Sequence, residues 1–162
     1  MLTINPAKVN AAAAKRILGL PQSRKIEIQV SDQSVAITHR DRTGTHTAHL
    51  TLSDFDREFT RYRQEGAKEC IATPHKRGTW GEMYAVAGSN GEIYYVEAGD
   101  THLACTCEDW HQHEETCKHG WAVLQLVGAS SFEHYLAARK MVNFSTPKVK
   151  PRCLVVNGIS IE

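Results

Sequence analysis

The sequence predicts an α+β fold, in which a small N-terminal antiparallel sheet with helices is followed by a second unit of strands and helices. Apolar and polar residues alternate along 26–52, and this period of two is typical of half-buried strands. Helix-forming stretches with capping residues lie before and after that segment. A close group of cysteine and histidine residues follows at 105–119 and gives the second unit its own chemistry.

The first element is a predicted helix. Asn5 can cap it, and Pro6 can occupy its first position, where the missing N–H removes no hydrogen bond. Residues 11–14 are alanines, which are strong helix formers. We expect Gly19 and Pro21 to end this helix.

Three strands are predicted to follow as an antiparallel meander. Residues 31–34 and the pair Thr43-Gly44 are turn-forming segments that separate them. The apolar residues of the three strands share one face, and these residues are Ile26, Ile28, Val30, Val35, Ile37, Ala48, Leu50 and Leu52. One face of the sheet is therefore expected to be buried and the other to meet solvent.

A second helix is predicted after the meander. Ser53, with Asp56 three residues later, resembles a capping box. An apolar stripe along the helix consists of Phe55, Phe59 and Tyr62, and the helix is expected to end at Gly66. We therefore predict that residues 1–68 form one α+β unit, whose function no motif indicates.

The second predicted unit spans residues 69–142 and begins with a hairpin. Segments 84–87 and 92–96 flank Gly88-Ser-Asn-Gly91, and the Asn-Gly pair is typical of a tight hairpin turn. An extended segment is expected over 101–107, followed by a helix over 118–127 that contributes Trp121, Val123, Leu124 and Leu126 to the core.

The C-terminal region is predicted to hold one more helix. Ser130 and Glu133 form a second capping-box pattern, and the helix is expected to end near Met141. Residues 143–162 contain two prolines and three basic residues before an apolar end. We predict that they form a basic linker and a short apolar tail.

Four metal-binding residues lie within fifteen positions, and they are Cys105, Cys107, Cys117 and His119. Zinc takes four such ligands at the corners of a tetrahedron, and three cysteines with one histidine are an ordinary structural set. A C-x-C pair on extended chain directs both side chains to one face. A C-x-H pair cannot share one face in mid-helix, so we expect Cys117 before a helix and His119 in its first turn.

The spacing of these residues resembles the SWIM zinc finger, whose pattern is C-x-C, a variable spacer and C-x-H-x-x-A. Here the pattern is Cys105-x-Cys107, nine residues, and Cys117-x-His119-x-x-Ala122. The resemblance covers roughly residues 80–127. It implies one structural zinc ion and a hairpin followed by a helix. Members of this family occur in remodelling helicases, transposases, recombination mediators and some kinase and ubiquitin-pathway proteins, and they are credited with binding nucleic acid or protein.

The nine-residue spacer between the two ligand pairs is acidic. Three thiolates on Zn2+ leave one negative charge, and the spacer adds Glu108, Asp109, Glu114 and Glu115. Because nucleic-acid affinity comes largely from Lys and Arg at phosphates, we expect this loop to repel nucleic acid.

Trp110, His111 and His113 also lie in the spacer. Nothing in the sequence obviously buries Trp110, and tryptophan is favoured at interface hot spots, so we expect it to contact a protein partner. The two histidines could replace one of the four ligands, but we expect them to be solvated or to touch the partner.

Basic residues outside the spacer are the candidates for nucleic-acid contact, with ordinary solvated surface as the alternative. The net charge of +1, from 19 basic and 18 acidic residues, gives the whole chain no pull toward nucleic acid. The candidate contacts occur in clusters: Arg57, Arg61 and Lys68 on the second helix, Lys76 and Arg77 before Trp80, and Arg139, Lys140, Lys148, Lys150 and Arg152 toward the C-terminus.

Together these features favour a non-enzymatic zinc-binding module that associates with nucleic acid, DNA rather than RNA, in a DNA-processing or mobile-element context. The alternative is a protein-interaction adaptor that uses the acidic loop around Trp110. No phosphate-loop motif occurs, and His39-Arg40-Asp41 lacks its companion kinase motifs. The sequence leaves open a catalytic site assembled from distant residues.

No apolar run approaches the roughly 20 residues of a membrane span, and zinc thiolates suit a reducing, cytoplasmic location.

Overall fold

The computed structural model describes residues 8–145 apart from residue 33 and residues 78–80, and it leaves the side chains of residues 77 and 141–145 undescribed. Within this range the α+β prediction is confirmed. The elements in chain order are α1 (Ala11–Ile17), β1 (Ile26–Val30), β2 (Val35–Asp41), β3 (Gly44–Leu50), α2 (Leu52–Ala67), β4 (Ile71–Arg77), β5 (Glu82–Ala87), β6 (Ile93–Ala98), β7 (Leu103–Cys105), α3 (Glu108–His113), α4 (Lys118–Leu126) and α5 (Phe132–Ser145).

The predicted meander is present as an antiparallel sheet with strand order β1-β2-β3. Ile28 lies opposite Ile37, which lies opposite Ala48, so the apolar residues share one face. Helices α1 and α2 pack against that face. The core between helices and sheet consists of Ala13, Ala14, Val35, Ile37, Leu50 and Phe55.

Helix α1 begins later than the sequence predicts. It starts at Ala11, and the Asn10 side chain caps it by accepting a hydrogen bond from the Ala13 N–H at 2.9 Å. The start at Pro6 is therefore wrong, and Asn5 and Pro6 themselves lie outside the described residues. Asn10 satisfies the same cap preference immediately before the alanine run.

The capping box of α2 lies two residues earlier than predicted. The Thr51 hydroxyl accepts from the Asp54 N–H at 3.2 Å, and the Asp54 carboxylate accepts from the Thr51 N–H at 2.8 Å. Both the Thr51–Asp54 pair and the Ser53–Asp56 pair have the required spacing. Because β3 ends at Leu50, the chain turns at Thr51, and Leu52 belongs to the helix rather than to the strand.

We expect Thr51→Ala to lower the free energy of unfolding by about 1 kcal/mol, since it removes a cap hydroxyl. Ser53→Ala is the matched control and should cost less than about 0.5 kcal/mol, because Ser53 caps no N–H group. Urea unfolding of both zinc-loaded variants measures the difference. A larger loss of unfolding free energy in Ser53→Ala than in Thr51→Ala would instead support the Ser53–Asp56 capping box predicted from the sequence.

The second sheet has the strand order β4-β5-β6-β7 and contains the predicted hairpin. Gly91 adopts a φ of +80° in the hairpin turn, which favours glycine. Besides the hairpin strands and β7, the sheet has a fourth strand, β4, at its edge. This strand contains Pro74, and its pairing register with β5 shifts between Pro74 and Lys76. Cys70 lies just before this strand and is half-buried.

The C-terminal helices differ from prediction at their ends. The predicted helix over 118–127 is confirmed as α4, with Val123 and Leu124 buried, but Leu126 is 48% exposed rather than in the core. For α5, the Ser131 hydroxyl accepts from the His134 N–H at 3.2 Å, so Ser131 caps the helix instead of Ser130. Helix α5 also continues to Ser145 instead of ending near Met141.

Helix α2 lies between the first sheet and the second group of elements. Its Phe55 enters the first core, while its C-terminal half packs on α4. Two ion pairs join the same regions: Arg63 with Asp109, and Lys8 with Glu115 at 2.6 Å. The predicted unit boundaries at residues 68 and 142 stay predictions. In the described part of the chain, none of the helices is long and apolar enough to cross a membrane.

Candidate metal centre

The four predicted ligands come from three adjoining elements. Cys105 is the last residue of β7, and Cys107 occupies the N-cap position of α3. Cys117 occupies the N-cap position of α4, and His119 lies in the first turn of that helix. This is the placement that the alternation of a strand and the period of a helix predict for C-x-C and C-x-H pairs.

The ligand atoms of these residues form one compact group. All lie within 4.8 Å of one another, and each residue is at most 4% exposed. The His119 Nδ1 atom is 3.7 Å from the Cys105 Sγ and 3.9 Å from the Cys117 Sγ. Tetrahedral zinc with ordinary Zn–S and Zn–N bonds places its nitrogen and sulfur ligands about 3.6 Å apart and its sulfur ligands about 3.8 Å apart. The donor set and its spacing therefore fit zinc.

The electrostatics of the three thiols favours a bound cation. The pKa of Cys107 is lowered because Cys105, Cys117, His119 and the Trp110 N–H donate hydrogen bonds to its thiolate. The pKa of Cys105 is raised, first because it donates to Cys107, then because it donates to Cys117, and also because it is buried. Three thiolates can coexist at this spacing only when a cation compensates them.

Tyr94 is a functional neighbour that sequence reasoning missed. Its ring stacks on the His119 imidazole with centroids 4.1 Å apart and planes inclined by 22°. The stacking holds His119 with Nδ1 toward the sulfurs, while the buried Nε2 has no hydrogen-bond partner among the described residues. The sequence shows only that Tyr94 has the same parity as Val96 in the predicted strand; the strand register, with Val96 opposite Cys105, brings Tyr94 to the ligand group.

The spacer is a short helix, not the solvated loop we expected. His113 packs edge-on against Phe59, with ring centroids 5.1 Å apart. His111 is exposed and contacts Trp110. Among the described residues, the clustered metal-binding group contains Cys105, Cys107, Cys117 and His119, and neither spacer histidine belongs to it.

Trp110 is partly buried, so the expectation that nothing covers it is wrong. It packs against the hydrophobic cluster around the cysteines and stacks on His102 at a centroid distance of 6.1 Å. The backbone N–H of Trp110 donates a hydrogen bond to the Cys107 Sγ atom. This bond lies at the start of α3 and thereby positions the Trp110 ring. A role of Trp110 in protein contact stays a proposal.

The candidate nucleic-acid contacts are dispersed, and several have acidic partners. Arg57 pairs with Asp54, Arg61 with Glu58 and Glu65, and Arg139 with Asp100. Lys76 and Arg139 line one groove between the second sheet and α5, whereas Arg57 and Arg61 lie on α2 and Lys68 is the C-cap of that helix. Lys68, Lys76 and Lys140 are exposed. The side chain of Arg77 is not described, and Trp80, Lys148, Lys150 and Arg152 lie outside the described residues.

Comparison with known proteins supports this assignment of the ligands. Residues 84–128 match the family model of the SWIM zinc finger, and the matched segment contains all four clustered residues. This confirms the resemblance and points to zinc binding. No curated protein matches the chain. No solved structure matches it either.

Proposed function

We propose that this protein, whose residues 84–128 match the SWIM zinc finger, is a cytoplasmic structural-zinc module that associates with nucleic acid, DNA rather than RNA, in a DNA-processing or mobile-element context. One zinc ion held by four protein side chains has no position left for a reactive water, which supports a structural and non-catalytic metal. The matched family is a zinc-finger module rather than an enzyme family.

The distribution of charge carries the nucleic-acid proposal. Residues 1–68 contain eleven Lys and Arg against seven Asp and Glu, whereas residues 69–142 contain five against ten. The near-neutral total therefore combines a basic N-terminal region with an acidic zinc-containing region. Phosphate neutralisation by Lys and Arg supplies most non-specific nucleic-acid affinity. The zinc finger is thus proposed to support the fold, and basic surface elsewhere to contact phosphates.

A salt series tests this function. Zinc-loaded protein is titrated with a labelled 20-base-pair duplex, single-stranded DNA and RNA between about 50 and 200 mM salt, the range over which phosphate contacts lose affinity steeply. We expect affinity for DNA to fall with salt, with a slope that gives the number of phosphate contacts. Absence of binding to all three nucleic acids at the lowest salt would refute nucleic-acid association.

A protein-interaction adaptor is the second candidate function, and the outer face of the second sheet favours it. Ile71 and Ile93 lie on either side of Ala87 in register and are 69% and 54% exposed, and the neighbouring Tyr95 is 41% exposed. An apolar row of this kind is typical of protein contact surfaces. If Ile93→Glu and Trp110→Ala abolish capture of a host protein while DNA binding is absent, the adaptor function replaces the first.

A further inference from the structure

The outer face of the first sheet is polar and open. Eight side chains project from it, alternating with the buried residues of β1, β2 and β3, and they are Glu27, Gln29, Ala36, Thr38, Arg40, Thr45, Thr47 and His49. All eight are exposed or half-exposed, because both helices that cover this sheet pack on the opposite face. The sheet therefore has one face that no described element covers.

The side chains of this face form continuous rows across the strands. Glu27 lies opposite Thr38, which lies opposite Thr47, and Arg40 lies opposite Thr45. The Thr38 and Thr47 hydroxyl oxygens are hydrogen-bonded at 3.2 Å. With strands about 4.8 Å apart, three strands present a flat surface roughly 10 Å wide. The surface is lined mainly by hydroxyl, amide and guanidinium groups, with one carboxylate (Glu27), one imidazole (His49) and the small side chain of Ala36.

Positive charge gathers at one end of this face. Lys25 and Arg40 line a shallow cleft of about 730 Å³, which also contains two further basic side chains, Lys15 and Arg24, and one carboxylate, that of Glu27. Unlike Arg57, Arg61 and Arg139, neither Lys25 nor Arg40 has an ion-pair partner among the described residues. Both are exposed, so both are available to a phosphate.

The outer face holds Lys25 and Arg40 away from the acidic zinc-containing region of residues 69–142. Helix α2 contributes Phe55 to the core behind the sheet and directs Arg63 toward Asp109 of the zinc region. The sheet and the zinc region therefore lie on opposite sides of α2. A polyanion on the outer face would not approach the spacer carboxylates that repel it.

We propose that the outer face of β1–β3 is the docking surface for double-stranded DNA, an inference that rests on the proposed association with nucleic acid. Single strands are bound mainly by stacking on aromatic rings, and none of the eight side chains is Phe, Tyr or Trp. The major groove of B-DNA is about 12 Å wide and admits a two-stranded β-ribbon, so two of the three strands would enter it, whereas the major groove of duplex RNA is too narrow for side chains to contact bases. Gln29 and the threonines can bond to base edges, and Lys25 and Arg40 to phosphates.

Single-charge variants of the full zinc-loaded chain test this surface. We expect Arg40→Gln to reduce the slope of log affinity for duplex DNA against log salt concentration by about one. The double variant with Lys25→Gln should reduce that slope by about two, and affinity should fall roughly tenfold or more. Lys118→Gln is the matched control, since it removes one positive charge from the zinc region and should leave the slope unchanged. Thr47→Glu places an acid in the middle of the face and should also weaken binding.

The outcomes separate this inference from the function on which it rests. Loss of duplex binding in the sheet variants, with unchanged circular dichroism and zinc content, supports the surface. Normal binding in the sheet variants with loss in Arg57→Gln and Arg61→Gln would overturn the surface while leaving nucleic-acid association intact. Tighter binding of single-stranded DNA or RNA than of duplex DNA would overturn the choice of ligand. Failure of the unaltered protein to bind any nucleic acid would refute the function itself.

Discussion

Removal of zinc with a chelator, or the substitution Cys107→Ser, is expected to unfold the zinc-binding region. The ligand sulfurs belong to the core that also holds Tyr84, Val86, Val96 and Leu124, so losing the metal removes the bonds that join β7, α3 and α4 inside that core. Structural zinc contributes on the order of 10–16 kcal/mol of apparent binding free energy, which appears as folding free energy. Hydrogen exchange should show amides of β5–β7 and α4 losing protection.

Cys70→Ser is the matched control for this prediction. Cys70 is half-buried, outside the ligand group, and its thiol donates only a weak hydrogen bond to the Gly66 carbonyl at 3.5 Å. This variant should keep its zinc and its exchange protection. Complete removal of zinc with no change in protection would mean that the metal is dispensable for the fold, and a structural role would then be wrong.

Arg63→Ala is expected to produce the second large effect, by separating α2 from the zinc region. The Arg63 side chain is 7% exposed, donates two hydrogen bonds to the Asp109 carboxylate, and lies with its guanidinium carbon 3.2 Å from the Phe59 ring centroid. Breaking a buried pair usually costs 3–5 kcal/mol. Because Asp109 is 41% exposed and can be solvated, we expect about 2–3 kcal/mol, measured by urea unfolding with zinc present.

A double-mutant cycle shows whether the contact itself is responsible. Arg63→Ala and Asp109→Ala should be non-additive, with a coupling free energy of about 1 kcal/mol or more. Arg57→Ala is the control on the same helix; its side chain is 78% exposed and should cost less than about 0.5 kcal/mol. Additivity of the two substitutions would show that the Arg63–Asp109 pair does not join the regions.

Local rules were sufficient where a feature depends on near neighbours in sequence. The meander followed from alternation, the hairpin from Asn-Gly, and the positions of Cys117 and His119 from helix geometry. Cap positions were less certain because neighbouring residues compete for one role, as Thr51 and Ser53 do. Strand β4 was obscured by Pro74, which an edge strand with a bulge can accommodate.

Contacts between distant residues could not be predicted from one sequence. The spacer was expected to be a loop, yet Arg63, 46 positions earlier, binds Asp109, and Phe59 covers His113. The solvent-facing side of the first sheet followed from alternation, but the proximity of Lys25 and Arg40 did not, since they are separated in sequence and become neighbours only through strand pairing. The stacking of the Tyr94 ring on His119 also arises from strand pairing.

The zinc-coordination shell is the most direct measurement of the central claim, that four side chains of this chain close a structural zinc site. X-ray absorption at the zinc edge of the purified protein, combined with metal analysis, reports the ligand types and the number of ions. We expect about one zinc per chain with three sulfurs near 2.3 Å and one nitrogen near 2.0–2.1 Å. A shell with fewer sulfurs and an added oxygen would contradict the claim, because it would show an open site with a bound water.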